Sequence, residues 1–333
     1  MKELLCGLTV LTLVAGLAPV SAAQQALDET REVKPGGVVQ IANVSGSVRV
    51  VAWDRAEVRL TGELERNVER VDFEVRDGRT SIRTVISKRA YKKTSAFLTV
   101  ALPASSRVEI DAVSASVKLE DSEPPEDREM LREAVYVKTV SGAIDVRTWV
   151  GAVELKTISG EVSFAGLAET LEIETTSGDI KFAGAYSAEA NTISGDIECS
   201  GVGSVELRST SGDLTATDIG HIAEASSVSG DIEVTVVSID KAALQTVSGD
   251  VELQGALART GQIKASTKSG DVELTLPGDV SAEFDFSTKS GKIRTELGIS
   301  SSGVRGDLHF TLGSGDGYVQ VSTTSGDITI EKF

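Results

Sequence analysis

Ser-Gly pairs recur through this chain at nearly constant intervals, and that recurrence restricts the fold more than any other feature. The glycines are Gly142, Gly160, Gly178, Gly195, Gly212, Gly230, Gly249, Gly270 and Gly291, spaced by 18, 18, 17, 17, 18, 19, 21 and 21 residues, with a further copy at Gly326. Most copies continue into aspartate, as in "TTSGDIKF" from Thr175 to Phe182. A repeat of this length with slow drift is the mark of a solenoid, in which each copy forms one coil and rests only on its neighbours.

The pattern inside each copy supplies the coil's geometry. In "LEIETTSGDIKF", Leu171, Ile173, Thr175 and Ser177 share one face of a strand, and Val205, Leu207, Ser209 and Ser211 do the same in "VELRSTSGDLTA". Val319, Val321, Thr323 and Ser325 repeat it near the C-terminus. After the serine the phase slips, because Ile180 and Phe182 lie an odd number of positions on. A straight strand would turn them outward, so the chain bends at Gly-Asp. Glycine supplies a positive φ there, while Ser and Asp bond to nearby backbone. The reading predicts an inward Thr/Ser column (Thr175, Ser177, Ser209, Ser211, Thr246, Ser248) and the ten glycines as structural turn residues.

The expected fold is therefore all-β: a parallel β-solenoid with antiparallel β elements capping both ends. Right-handed crossovers are the rule for parallel connections, so a right-handed coil is expected. Successive rungs pair at about 4.8 Å. Four regions follow: a signal peptide over 1–23, an N-terminal β region with degenerate repeats and hairpins over 24–134, the Ser-Gly-Asp solenoid over 135–297, and a C-terminal hairpin with the last rung over 298–333. "VVQIANVSGSVRV" and "RVEIDAVSASVKL" are the degenerate copies, the second with Ala115 in the glycine position. Asp77-Gly78 predicts a hairpin turn. "SEPPEDREMLREA" reads as an exposed loop or one short helix, and "GDLHFTLGSGDGYVQV" as an antiparallel hairpin.

The N-terminus carries Lys2, an apolar run from Leu4 to Leu17 and small residues at "PVSAAQQ", which predicts export. Beyond it no stretch reaches the roughly 18 apolar residues of a membrane-spanning helix. Cleavage would leave Cys199 as the sole cysteine and hence no internal disulfide. The 33 basic and 50 acidic residues give a net charge of −17, which argues against a nucleic-acid partner.

The chain resembles a bacterial envelope family of "putative adhesins" with β-strand repeats and a domain of unknown function. The resemblance rests on the export signal, the "G-x-V-x-V" strand at Gly46, Val48 and Val50, the strand "LTVALPASSRVEI" and the serial T-x-S-G-D-[IV] copies. It covers about Val38 to Ile330, departing at Ala115, Ala143 and the Pro-rich acidic insert. It implies an exported protein of the periplasm, cell surface or extracellular space, with an envelope polysaccharide or protein as partner.

Catalytic chemistry has little to stand on. The two histidines, His221 and His309, fall in a turn and on an outward strand position, with no nucleophile in pattern with either. The expectation is a non-enzymatic binding or structural element, with a polysaccharide-acting β-helix enzyme as the alternative. No cofactor is expected. A calcium-stabilised solenoid is the sharper rival, through stacked Asp179, Asp196, Asp213, Asp231, Asp250 and Asp271, although calcium wants six to eight oxygens and each rung offers one carboxylate. Solvated, turn-capping aspartates are the simpler reading. Arg79, Arg83, Lys88, Arg89, Lys92 and Lys93 form an uninterrupted basic stretch, the candidate docking patch for an anionic envelope partner. The Arg305–Asp307 "RGD" begins a strand, where a receptor-binding loop is not expected.

Overall fold

The computed structural model describes residues 25–87, 94–121, 132–298 and 301–333. The expected signal peptide, Lys88, Arg89, Lys92, Lys93 and most of the acidic insert lie outside them. Every regular element described is a β-strand, and all 21 belong to one continuous hydrogen-bonded sheet that coils on itself. The all-β solenoid is thus the observed architecture.

A coil consists of two short strand segments joined by two bends. Strand β10 (Val162–Glu174) pairs in parallel with β9 (Ile144–Lys156) on one side and β11 (Ile180–Asn191) on the other. Val162 sits beside Ile144 and Ile180, and Ile173 beside Leu155 and Ala190, so each inward residue rests on its counterpart in the next rung. One bend is a mid-strand irregularity, such as the register shift between Ala165 and Ala168. The other is the Ser-Gly-Asp corner. Parallel pairing also joins β2 (Val38–Trp53) to β7 (Arg107–Glu120), and β7 to β8 (Arg132–Lys138) and β9.

The core is a narrow stack of Val, Ile, Leu, Phe and Ala running the length of the coil, with Val146, Phe164, Ile180, Leu207 and Val234 all buried. Central rungs bury many alanines (Ala185, Ala188, Ala190, Ala216, Ala225). Buried apolar surface is the main stabilising term available, at roughly 25 cal/mol per Å².

Both ends are covered by antiparallel strands. At the N-terminal end β6 (Ala96–Pro103) continues from β2 into β3 (Glu57–Leu64) and then β1 (Gln25–Glu32). Beside it, β5 (Arg79–Ile86) pairs with β4 (Val68–Arg76) through the Asp77-Gly78 turn, with φ of 50° and 77°. The outermost strand β1 reads QALDETRE, and such charge on an edge discourages further strand addition.

The C-terminal end differs from expectation. The predicted hairpin within "GDLHFTLGSGDGYVQV" does not form. Strand β19 (Ser301–Leu312) pairs antiparallel with the preceding β18 (Ala282–Thr295), where Phe310 stacks on Phe284 at 4.8 Å and meets Phe286 edge-on. Strand β20 (Gly317–Ser325) instead runs parallel between β16 (Val251–Ser269) and β18. Strand β21 (Ile328–Lys332) does the same between β17 (Val272–Leu276) and β18. The last repeat in the sequence is therefore not the last rung in space. Its strands carry the full rung pattern and need a neighbour on each side, whereas β19 is held by an aromatic cluster on one face.

Candidate functional site

The repeated corner is where side chains of known type recur at fixed spacing. In the rung at Gly178, Leu171, Ile173 and Thr175 point inward, Thr176 and Ser177 are exposed, and Ile180 returns to the core. The bend thus begins one residue earlier than the sequence suggested. Ser177, Ser211 and Ser248 are exposed rather than buried; only the threonine or serine two places before each (Thr175, Ser209, Thr246) lies inside. The reason is visible in the backbone. Each serine N–H donates to the residue before the serine one rung back, as from Ser177 to Ile158 O at 2.9 Å and Ser211 to Ile193 O at 3.0 Å, which holds the serine on the outer bend.

Nine glycines (Gly142, Gly160, Gly178, Gly195, Gly212, Gly230, Gly249, Gly270, Gly326) have φ between 143° and 156°. Gly291 is the exception: it lacks a positive φ and lies inside the unbroken strand β18, where pairing to β19 shifts register. In the inner column, Thr246, Thr267, Thr323 and Thr288 donate to the carbonyls of Gly230, Gly249, Gly270 and Gly326 at 3.0–3.1 Å. The buried hydroxyls of Thr157, Thr175, Thr192 and Ser209 make no such bond.

The aspartates form a ladder. Oδ1 of Asp179 accepts from the backbone N–H of Asp196 at 3.1 Å, and the same bond links Asp196 to Asp213, Asp213 to Asp231, Asp231 to Asp250 and Asp250 to Asp271 at 2.7–2.9 Å. It continues from Asp271 to the N–H of Asp327 at 2.7 Å and from Asp327 to that of Lys292 at 2.8 Å. One oxygen of each carboxylate is thereby committed to the backbone. Calcium wants six to eight oxygens around one point, and each rung supplies one carboxylate to this ladder. Among the described residues no group of three or more His, Cys, Asp or Glu is arranged to hold a metal.

A second row, absent from the sequence reading, stands on the outer bend. The residue before each corner serine is Val44, Val113, Val140, Ile158, Thr176, Ile193, Thr210, Val228 and Val247 in successive rungs. Ile158, Ile193 and Val228 are 53 %, 54 % and 51 % exposed, and Val113 and Val140 nearly as much. At about 4.8 Å per rung the row is roughly 38 Å long. Lys268, Thr324 and Lys289 continue it toward the C-terminal end. A groove of about 410 Å³ runs beside it, between Lys138, Lys156 and Glu174 on one side and Ile158, Thr176 and Ile193 on the other. Lys156 reaches Glu154, Glu172 and Glu174 at 3.0–3.1 Å, and these bonds raise its pKa, with the Glu172 contact the largest cause. The signal was present in most copies as a β-branched residue before the corner serine, on the outward phase of the strand; its place in a continuous row on the bend emerges only from the stacking of the rungs.

Other predicted residues are scattered. Arg79 and Arg83 are exposed on β5, at the N-terminal cap. His221 is exposed 3.8 Å from Asp240, and His309 is exposed 3.3 Å from Glu283. Arg305–Asp307 lies within β19, and Asp307 accepts from Ser287 at 2.6 Å. Cys199 is buried, which pushes its thiol pKa up to about 12. Arg132 is fully buried, bonded to Ser106 O at 3.0 Å and to Asp121 at 2.8 Å, and Asp121 also accepts from Thr148. Burial lowers the Arg132 pKa, and Asp121 opposes that shift.

A family model described as Toastrack DUF4097 matches residues 38–331. Similar solved structures include a "putative lipid binding protein" from Parabacteroides distasonis, 12% identical, covering 92% of this chain and 96% of that one at a TM-score of 0.37. A "putative adhesin" from Bacteroides fragilis is 11% identical, covering 93% and 98% at 0.32. One from Parabacteroides merdae is 11% identical, covering 93% and 96% at 0.32. No curated protein matches. No helix among the described residues is long and apolar enough to cross a membrane.

Proposed function

The chain belongs to the Toastrack (DUF4097) family, and we propose that it is an exported, non-enzymatic binding element of the bacterial cell envelope that holds a protein partner along the outer-bend row. The observation that carries this reading is the row itself: exposed valine, isoleucine and threonine side chains in register over eight successive rungs, from Val44 to Val228. Exposed turns ordinarily carry polar residues. The carbonyls from Val113 to Val247 are paired with the serine N–H of the next rung whatever the side chain, so the fold does not require an apolar side chain there. Contiguous exposed apolar surface marks an interaction site.

The chemistry around the row narrows the partner. Sugar-binding surfaces use aromatic platforms, and the row has none. An anionic lipid surface would meet the carboxylate ladder a few residues away on every rung from Asp179 to Asp327. A protein surface with apolar side chains and basic flanks suits both features. Among the described residues the Cys199 thiol is buried, and His221 and His309 each face a carboxylate on the exterior.

The test is capture from an envelope fraction by the full-length chain and by the Ile158→Ser/Ile193→Ser/Val228→Ser variant, run beside thermal melts. The account predicts loss of the captured protein with an unchanged melting temperature. Undiminished capture by the variant would overturn the assignment of the row.

A further inference from the structure

We infer that the rung built from residues 317–332 is an exchangeable strand pair, and that its slot accepts the same segment from a second copy of this chain. Rung order breaks after β17. The chain passes from β17 to β18 through residues 277–281 only, yet these two elements are not adjacent rungs: β21 separates β17 from β18, and β20 separates β16 from β18. Ile263, Val319 and Phe284 lie side by side, as do Val272, Ile328 and Ile293. The chain skips one rung, builds the aromatic C-terminal cap, and returns to fill the gap.

Without that segment the slot is two rung spacings wide, about 9.6 Å, and both of its walls are strand edges with unpaired N–H and C=O groups. The filling segment carries everything the slot requires. Val319, Val321, Thr323, Ile328 and Ile330 are buried in the core. Thr323 donates to Gly270 O, and Gly326 O accepts from Thr288, at 3.1 and 3.0 Å. Asp327 joins the carboxylate ladder on both sides and pairs with Arg294 at 2.7 Å.

The turn after Leu312 connects the segment to the cap strand β19. Gly313 and Gly315 take φ of 62° and 71° there, and nearby bonds link Ser314 to Ser281 and Asp316 to Arg259. Extending that turn would carry residues 317–332 away from the parent solenoid and into the slot of a neighbour, reproducing every rung contact. Exchange of an identical element is a low-cost route to a dimer. The tethered segment has the advantage of effective concentration, so exchange is expected when chains fold together at high concentration rather than between folded monomers.

The experiment uses two full-length single variants, Lys264→Cys and Gln320→Cys. Both positions are exposed and face each other on paired strands of adjacent rungs, at a separation of about 4.8 Å that a disulfide spans. Each variant is first shown to melt like the parent. The two are unfolded together, refolded at increasing concentration, oxidised, and resolved by non-reducing electrophoresis and size exclusion. Exchange predicts a disulfide-linked heterodimer whose fraction grows with refolding concentration. A control mixture of Lys264→Cys with Glu233→Cys, which are not register partners, should show no such rise. Absence of the heterodimer at every concentration, or equal amounts in the control mixture, would overturn the inference.

Discussion

Gly212→Ala should destabilise the chain far more than Gly201→Ala, and the structure lets the difference be worked out. Both glycines have positive φ, 147° and 62°. A Cβ on Gly201 would meet nothing within 4 Å, whereas one on Gly212 would lie 2.0 Å from the carbonyl oxygen of Gly195 in the rung behind it. The Gly201 change therefore adds only left-handed strain, about 1–2 kcal/mol. The Gly212 change adds backbone strain of about 2 kcal/mol and forces two rungs apart. Four bonds cross that gap: Gly195 N–H to Ser211 O, Ile197 N–H to Asp213 O, Ser211 N–H to Ile193 O, and Asp213 N–H to Asp196 Oδ1. Losing two of them at roughly 1 kcal/mol each brings the total to about 4 kcal/mol. With an unfolding entropy of about 2.1 cal/mol/K per residue over roughly 300 residues, that is a fall in Tm of about 6 °C, against about 2 °C for Gly201→Ala. Thermal melts followed by circular dichroism measure both. Asparagine sharpens the comparison, since it tolerates the left-handed region: Gly201→Asn should recover most of the loss and Gly212→Asn should not. Equal losses at the two glycines would refute the close-stacked corner.

Three further outcomes follow from the same geometry. Asp213→Ala should cost about 1 kcal/mol in urea titrations while Asp213→Asn stays near neutral, because an amide oxygen accepts the Asp231 N–H equally well; adding calcium should leave the parent's Tm unchanged, and a saturable rise would contradict the ladder as the aspartates' role. Asp121→Asn should cost about 3–5 kcal/mol, because it leaves the Arg132 guanidinium buried without a counter-charge; Arg132→Met should cost less, since Asp121 keeps Thr148 and some solvent. The N–H of Lys292 and the Arg294 guanidinium hold the Asp327 carboxyl below its ordinary value of 3.8. Its contribution to stability is therefore present above that value and lost as pH falls through the lowered one, so Asp327→Asn should flatten the acid limb of a stability–pH curve.

The coil, its parallel pairing and the glycine corners were legible because a period near 18 combined with strand alternation admits few other folds. The Asp77-Gly78 turn was legible for a local reason, since both residues tolerate the positive φ that a tight hairpin demands. Two features were not. Alternation carries the reader from Leu171 through Thr175 to Ser177, but the bend falls between the last two, so the serine's face could not be read without the rung-to-rung bond from its N–H to Ile158. Alternation already turned Ile158, Ile193 and Val228 outward, but their alignment into one exposed row on the bend comes from rung-to-rung pairing, which a single copy does not display. The position of the last rung was hidden for a different reason. Val319, Val321 and Thr323 specify a rung, and that pattern is indifferent to which two rungs enclose it. What decided the order was the aromatic contact of Phe310 with Phe284 and Phe286, a long-range pairing with no periodic signature.

The central claim is that the outer-bend row meets the partner, and site-specific photo-cross-linking in the intact envelope tests it most directly. A photoreactive side chain placed in turn at Ile158, Ile193 and Val228 should yield one common protein adduct. The same probe at Thr217 and Thr235, on an adjoining strand face, should yield none. Adducts at Thr217 and Thr235 but not along the row, or an equal scatter of adducts at all five positions, would contradict the account.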